Sequence, residues 1–159
     1  IVDSQKNFKD MSDYTAGELV EMSREIRTNI NKYYSFIHPE DDRINGCSHI
    51  LWTGEPTQKN STARNAVFYG DKAIDRSPCG TGTSSRMAQW AAMGKLVEGD
   101  KFIHESIIGI QFVGQIEGAT KVGNYDAIIP SIEGWARIIG TSTLTIDDDD
   151  PYAHGFQVI

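Results

Sequence analysis

The chain has 159 residues, a length that fits one domain with enough residues to bury a core. Its 15 basic and 22 acidic side chains give a formal charge of −7, and no basic stripe is present, which argues against a nucleic-acid or anionic-membrane binder. No stretch approaches the roughly 18 unbroken apolar residues of a membrane span, and two cysteines with four scattered histidines match neither a disulfide framework nor a metal site.

Ile1-Val2-Asp3 alternates apolar and polar residues and lacks Met, so it reads as a strand entered midway within a longer chain. From Ser12 to Lys32, the residues Leu19, Met22, Ile26 and Ile30 recur at three- and four-residue steps, which predicts a helix with one buried face. Thr15-Ala-Gly-Glu18 is a capping box and moves the regular start towards Thr15. Tyr33–Phe36 and Ser48–Thr53 read as short strands, with the polar loop His38–Asp42 between them. Ala66–Tyr69 is another strand, ended by Gly70-Asp71, and Thr83–Met93 is a helix stopped by Gly94. Lys101–Phe112 and Gln115–Thr120 are expected to pair about a turn at Val113-Gly114, with Tyr125–Ser131 and Trp135–Ile146 as the last strands. Asp147–Asp150 lacks the Gly and Glu of a calcium loop and reads as a solvated turn. Few helices and many short strands indicate an α+β fold.

The stretch with the most chemistry is Asp75-Arg-Ser-Pro-Cys-Gly-Thr-Gly-Thr83, where a cysteine stands at a helix start. The first turn of a helix has unpaired N–H groups and partial positive charge, which hold carboxylates and favour a thiolate over a thiol. Gly80 and Gly82 let a ligand approach the backbone, and Thr81 and Thr83 add hydroxyl groups. The stretch lacks the GK[ST] of a phosphate loop and has Ser85 where a dinucleotide fingerprint needs Gly. On the residues alone, an inert buried cysteine and a reactive one are equally consistent with this pattern.

The same nine residues resemble the second cysteine motif of the proline racemase family, within the diaminopimelate-epimerase-like superfamily. Ser48–Gly54, Ala63–Lys72, His104–Ile107, Ile129–Ala136 and Asp150–Phe156 extend the likeness over nearly the whole chain and look most like the 4-hydroxyproline epimerase branch. In a related dehydratase branch the cysteine is replaced by threonine, so Cys79 speaks against that alternative.

The resemblance implies a cofactor-independent isomerase, without pyridoxal phosphate or metal, acting on 4-hydroxyproline or proline. One cysteine removes the α-proton and a second protonates the opposite face. Cys79 would be one of the two, Gly80 and Thr81 would hold the substrate carboxylate, and Asp75 would accept from the ring nitrogen. Tyr69 would lie against the ring and His49 near its substituent, although both also suit structural roles. Met87 and Trp90 read as core and Cys47 as packing. His104 and Glu105 are adjacent on a strand, so they point to opposite faces, and Glu105 is expected to be structural.

The family's first motif, Met-Cys-Gly-His, is absent. The resemblance therefore implies the C-terminal half of such an enzyme, inactive alone, whose main partner is the missing N-terminal domain of the same protein. The implied fold is a strand barrel or roll around a central helix, one half of a pseudo-symmetric pair. Residues 1–135 would form the catalytic domain, and 136–159 would be terminal strands packing on the absent domain. A homodimer is an allowed assembly, no nucleic-acid or membrane partner is expected, and the expected location is cytoplasmic. The competing readings are a thiol hydrolase or transferase with Cys79 as nucleophile, and a non-catalytic carboxylate-binding module.

Overall fold

The computed structural model describes residues 1–3 and 7–157, and its fold is α+β. Helix α1 spans Ala16–Tyr33. Thr15 Oγ1 accepts the Glu18 N–H at 3.2 Å, and the Glu18 carboxylate accepts the Thr15 N–H at 2.7 Å, the reciprocal cap implied by the sequence. Strands β1 (Ile37–His38) and β2 (Asp41–Asn45) follow as a small hairpin. The expected strand over Tyr33–Phe36 is therefore absent: Tyr33 closes α1, and Asp41 and Asp42 lie in β2 rather than in a loop. A solvent-facing ribbon has no apolar face, so its sequence resembles a loop.

The main sheet contains β3 (Ile50–Gly54), β4 (Ala63–Tyr69), β5 (Ala73–Ile74), β6 (Lys101–Ser106), β7 (Gln111–Val122) and β8 (Tyr125–Glu133). Its order is β3-β4-β6-β7-β8, with β5 paired to β4. All these pairs are antiparallel except β4–β6, which is parallel and needs a crossover; helix α2 (Gly80–Ala92) lies in it. β5 and β6 share one edge of β4, β5 opposite Phe68 and Tyr69, β6 opposite Ala63–Asn65. Val2 extends the other side: its N–H donates to Leu51 O at 2.7 Å, and Thr53 N–H donates to Val2 O at 3.1 Å.

Strand β4 is buried from Ala63 to Phe68 because both faces of the sheet are covered. Side chains alternate across a strand. Ala66 and Phe68, with their β3 partners Trp52 and Ile50, pack with Met11 and Leu19 on the α1 side. Ala63 faces the other way, into a cluster with Met87, Leu96, Phe102 and Ile116 that also takes in Ile128 and Ile132 of β8. Strands β4, β6, β7 and β8 thus share one cluster with α2.

The β6–β7 turn falls at Ile107–Ile110, with Gly109 at φ 84°, and the expected turn at Val113-Gly114 lies inside β7. Gly114 is small for another reason: a Cβ there would meet the Met87 sulfur at 2.5 Å. Helix α2 begins at Gly80, ahead of the expected Thr83, and Gly94 stands just past its end at φ 68° as expected. The expected Trp135–Ile146 strand has no regular structure. Ile138 and Ile139 are each 93% exposed, since no strand edge of the described residues is aligned with them. Residues 158 and 159 of the terminal segment lie outside the described residues.

Helix α1 is registered on the sheet by one buried polar bond, Trp52 Nε1 donating to Ser23 Oγ at 2.8 Å, both residues 0% exposed. Ser23→Ala leaves the indole N–H unpaired and is expected to destabilise the protein by ~1–3 kcal/mol, less the small helix-propensity gain of alanine. Urea denaturation measures this, and an unchanged midpoint would remove the bond from the account.

Candidate active site

The turn into α2 is held by side chains on both sides of one peptide unit. Asp75 Oδ1 accepts the Ser77 N–H at 2.8 Å, and Ser77 Oγ accepts the Cys79 N–H at 3.1 Å. From the sheet, Asn65 Nδ2 donates to Pro78 O at 2.7 Å, and from α2 itself Thr83 Oγ1 donates to the same carbonyl at 3.4 Å. Behind them stands His104, whose Nδ1 is 2.9 Å from Thr83 Oγ1 and 3.4 Å from Asn65 Nδ2.

Cys79 is the N-cap of α2 and has φ 63° and ψ 125°; among the described residues no other non-glycine has positive φ. An L-residue held in such a region stores ~1–3 kcal/mol of strain. The thiol accepts the Gly82 N–H at 3.4 Å and lies 3.3 Å from Thr81 Oγ1. The Thr83 N–H goes to Cys79 O at 2.8 Å. That leaves the first-turn N–H groups of Gly80 and Thr81 without an intrahelical acceptor, at the positive end of the helix dipole.

The thiol opens on a cleft of ≈ 290 Å³ lined by Ser48, His49, Leu51, Val67, Cys79 and Thr81, among others. A Cβ on Gly80 would meet nothing within 4 Å, whereas one on Gly82 would meet Leu51 at 3.1 Å and the Cys79 Cβ at 3.3 Å. Gly80 therefore leaves open approach to the backbone, and Gly82 is dictated by packing within the chain. Of the residues singled out in the sequence, Cys79, Thr81 and His49 meet at this cleft. Tyr69, Asp75 and Gly80 lie outside its lining: Tyr69 stacks on His49 with ring centroids 6.5 Å apart, Asp75 turns one oxygen into its own loop, and Gly80 stands exposed beside the cleft. Cys47 is partly buried beside the α1-side cluster, its thiol donating to His49 O at 3.3 Å.

His104 and Glu105 are both 0% exposed and serve opposite faces of β6. Burial would raise the Glu105 carboxyl, but bonds from the Thr57 hydroxyl and the Gln58 and Thr57 N–H groups hold it below the ordinary range. Arg64 Nε lies 3.6 Å away, and Arg64 also donates to Ser12 Oγ and Ile107 O. Burial, with a smaller contribution from Arg86, lowers His104 to about 3, so the ring is neutral. The sequence reading missed Asn65; an amide directly before the apolar run Ala66–Phe68 was the available signal. Among the described residues no three His, Cys, Asp or Glu side chains converge as a metal site would require, and no helix is long and apolar enough to cross a membrane.

A model of the proline racemase family matches residues 1–157. The 4-hydroxyproline 2-epimerase of Ancylobacter novellus is 62% identical over 159 residues, covering 100% of this chain and 48% of the relative. The probable 4-hydroxyproline 2-epimerase of Rhizobium meliloti is 64% identical over 158 residues, 99% of this chain and 47% of the relative. Among solved structures, a probable proline racemase from Agrobacterium radiobacter K84 with bound carbonate superposes at TM-score 0.82 and 32% identity, over 99% of this chain and 46% of that one. A hydroxyproline epimerase from Agrobacterium vitis with bound trans-4-hydroxy-L-proline superposes at TM-score 0.76 and 31% identity, over 91% of this chain and 43% of that one. The chain thus spans about half the length of the curated relatives it matches.

A histidine whose folded value is depressed from 6.5 contributes full stability above pH 6.5 and loses it as the pH falls towards 3. Over that window His104 alone should remove ~1.4 kcal/mol per pH unit, because the unfolded ring takes a proton the folded one refuses. Denaturation at pH 6.5 and again near pH 5, above the main carboxylate range, should show a decline that His104→Gln flattens. An equal decline in the variant would assign the acid sensitivity to other groups.

Proposed function

The chain belongs to the proline racemase family, and from that premise we propose that it supplies one catalytic face of an enzyme that inverts the α-carbon of 4-hydroxyproline. The observation that carries the reading is the Cys79 thiol at the N-terminus of α2, opening on a cleft beside an unobstructed Gly80. In this reading the substrate carboxylate bonds the N–H groups of Gly80 and Thr81. The Cys79 thiolate then takes the α-proton from one face as negative charge spreads into the carboxylate, where the same N–H groups stabilise it. A second thiol, supplied from outside this chain, gives its proton to the other face. The pair ends with thiol and thiolate exchanged and the carbon inverted, and no cofactor enters the balance. The bound trans-4-hydroxy-L-proline of the Agrobacterium vitis relative favours the hydroxylated ring over proline. Asp75 has one carboxylate oxygen engaged by Ser77, and its other oxygen is assigned to the ring nitrogen; Tyr69 and His49, stacked together, are assigned to the ring side.

On the same reading, residues 1–135 are the catalytic unit and 136–159 pack on the rest of the protein, and this chain alone is inactive. The support is an apolar segment with little cover of its own: Ile138 and Ile139 are 93% exposed and Leu144 is 89% exposed.

In deuterated water the full-length protein should interconvert trans- and cis-4-hydroxyproline with incorporation of solvent deuterium at the α-carbon, and Cys79→Ser should lower kcat by ~10²–10⁴-fold. Failure to exchange the α-proton of any proline derivative would sink the epimerase reading, and an acyl-thioester trapped on Cys79 would replace it with a hydrolase. Gly80→Ala gives a separate check on the carboxylate site. Beyond its chain neighbours and the helix's own backbone, nothing lies within 4 Å of the added Cβ, so stability should hold while KM rises. Hydrogen exchange on the same protein should find the amides of 138–146 protected; exchange at the rate of an unstructured peptide there would refute the packing of the segment.

A further inference from the structure

We propose that Asn65 and His104 of the sheet, Thr83 of helix α2 and Ser77 of the loop are positioning residues that clamp the Pro78–Cys79 peptide unit and thereby aim the Cys79 thiol. This deepens the epimerase reading and rests on Cys79 acting as its acid/base. The torsion φ of Cys79 is rotation about its N–Cα bond, with that peptide unit on one side and helix α2 on the other. The helix side is fixed by Thr83 N–H bonding to Cys79 O at 2.8 Å. On the other side, the carbonyl end is gripped by Asn65 at 2.7 Å and Thr83 at 3.4 Å, and the N–H end by Ser77 Oγ at 3.1 Å. With both sides of the bond immobilised, the residue is held at φ 63°. Released, it would relax to a negative φ and swing the Cβ–Sγ bond away from the cleft.

His104 links two of the grips. Its Nδ1–H donates to the Thr83 hydroxyl at 2.9 Å, which leaves that hydroxyl's single hydrogen for the Pro78 carbonyl, and the ring backs the Asn65 amide, with Nδ1 3.4 Å from Nδ2. Burial keeps the ring neutral. Packing alone does not account for this set. Asn65 Oδ1 and His104 Nε2 are buried without a hydrogen-bond partner, and apolar side chains would fill the same space without those unpaired atoms. The polar atoms that are paired converge on the peptide unit that sets the thiol.

The test uses the full-length protein and three variants, Thr83→Val, His104→Gln and Ser77→Ala, each first checked for fold by circular dichroism. Ser77 is half-buried in the loop, so its variant keeps the test open if the two buried substitutions do not fold. In folded variants kcat for α-proton exchange should drop by ~10–100-fold with KM unchanged, the signature of a misplaced reacting group rather than a lost binding contact. The rate of Cys79 alkylation by iodoacetamide, followed by mass spectrometry, should shift several-fold while that of Cys47 does not. Folded Ser77→Ala and Thr83→Val proteins with wild-type kcat and wild-type alkylation would overturn the clamp and leave these residues as packing. If the wild-type protein itself exchanges no α-proton, the epimerase reading fails, and the alkylation rates still decide the clamp.

Discussion

Helix α2 can place a thiol at its first turn only because Cys79 is held at φ 63°, a conformation that an L-residue leaves unless its neighbours prevent it. Glycine would adopt that torsion without strain, but it carries no sulfur. The chain resolves the conflict by keeping the side chain and restraining the backbone around it. The two glycines after Cys79 answer to different demands, Gly80 to open space and Gly82 to the Leu51 and Cys79 side chains it would otherwise strike.

That restraint needs a rigid anchor, and strand β4 provides it. It is covered on both faces, so its alternate residues divide the work. Arg64, Ala66 and Phe68 tie the sheet to the α1 side, and Ala63 and Asn65 face α2 and its loop. The same division runs through β6. Glu105 fastens Thr57 and Gln58 on one side, while its neighbour His104 backs the Cys79 loop on the other. Two adjacent ionisable residues that could be taken for an acid–base pair therefore never share a site.

Features decided by local chemistry were legible in the sequence. The Thr15–Glu18 capping box, the stop at Gly94 and the Cys79 helix start depend on neighbours within a few residues. What was misread depends on distant partners. Gly114 suggests a turn because its small size is required by Met87, a residue of the helix packed over it. Trp135–Ile146 has the composition of a strand, but a strand exists only where another edge meets it. Asn65 gains its meaning from Pro78 O, which the fold brings to it after a further strand and a loop. Family likeness gave roles to the cysteine and residues around it but none to Asn65 or His104, although both fall within the matching segments.

The parallel pairing of β4 with β6 has a temporal side as well. Antiparallel neighbours can zip from a turn, whereas β6 can dock on β4 only after the whole crossover containing α2 has folded back, an entropic cost borne before any pairing contact forms. His104 arrives with β6, so the Cys79 loop gains its backing from behind only once that crossover has closed. In reverse, a local opening that detaches β6 from the short Ala63–Asn65 stretch withdraws His104 from behind the loop while α1 and its cluster stay intact. The surroundings of Cys79 can therefore loosen in an excursion much smaller than global unfolding, and a change in its accessibility on heating should precede loss of the bulk helical signal.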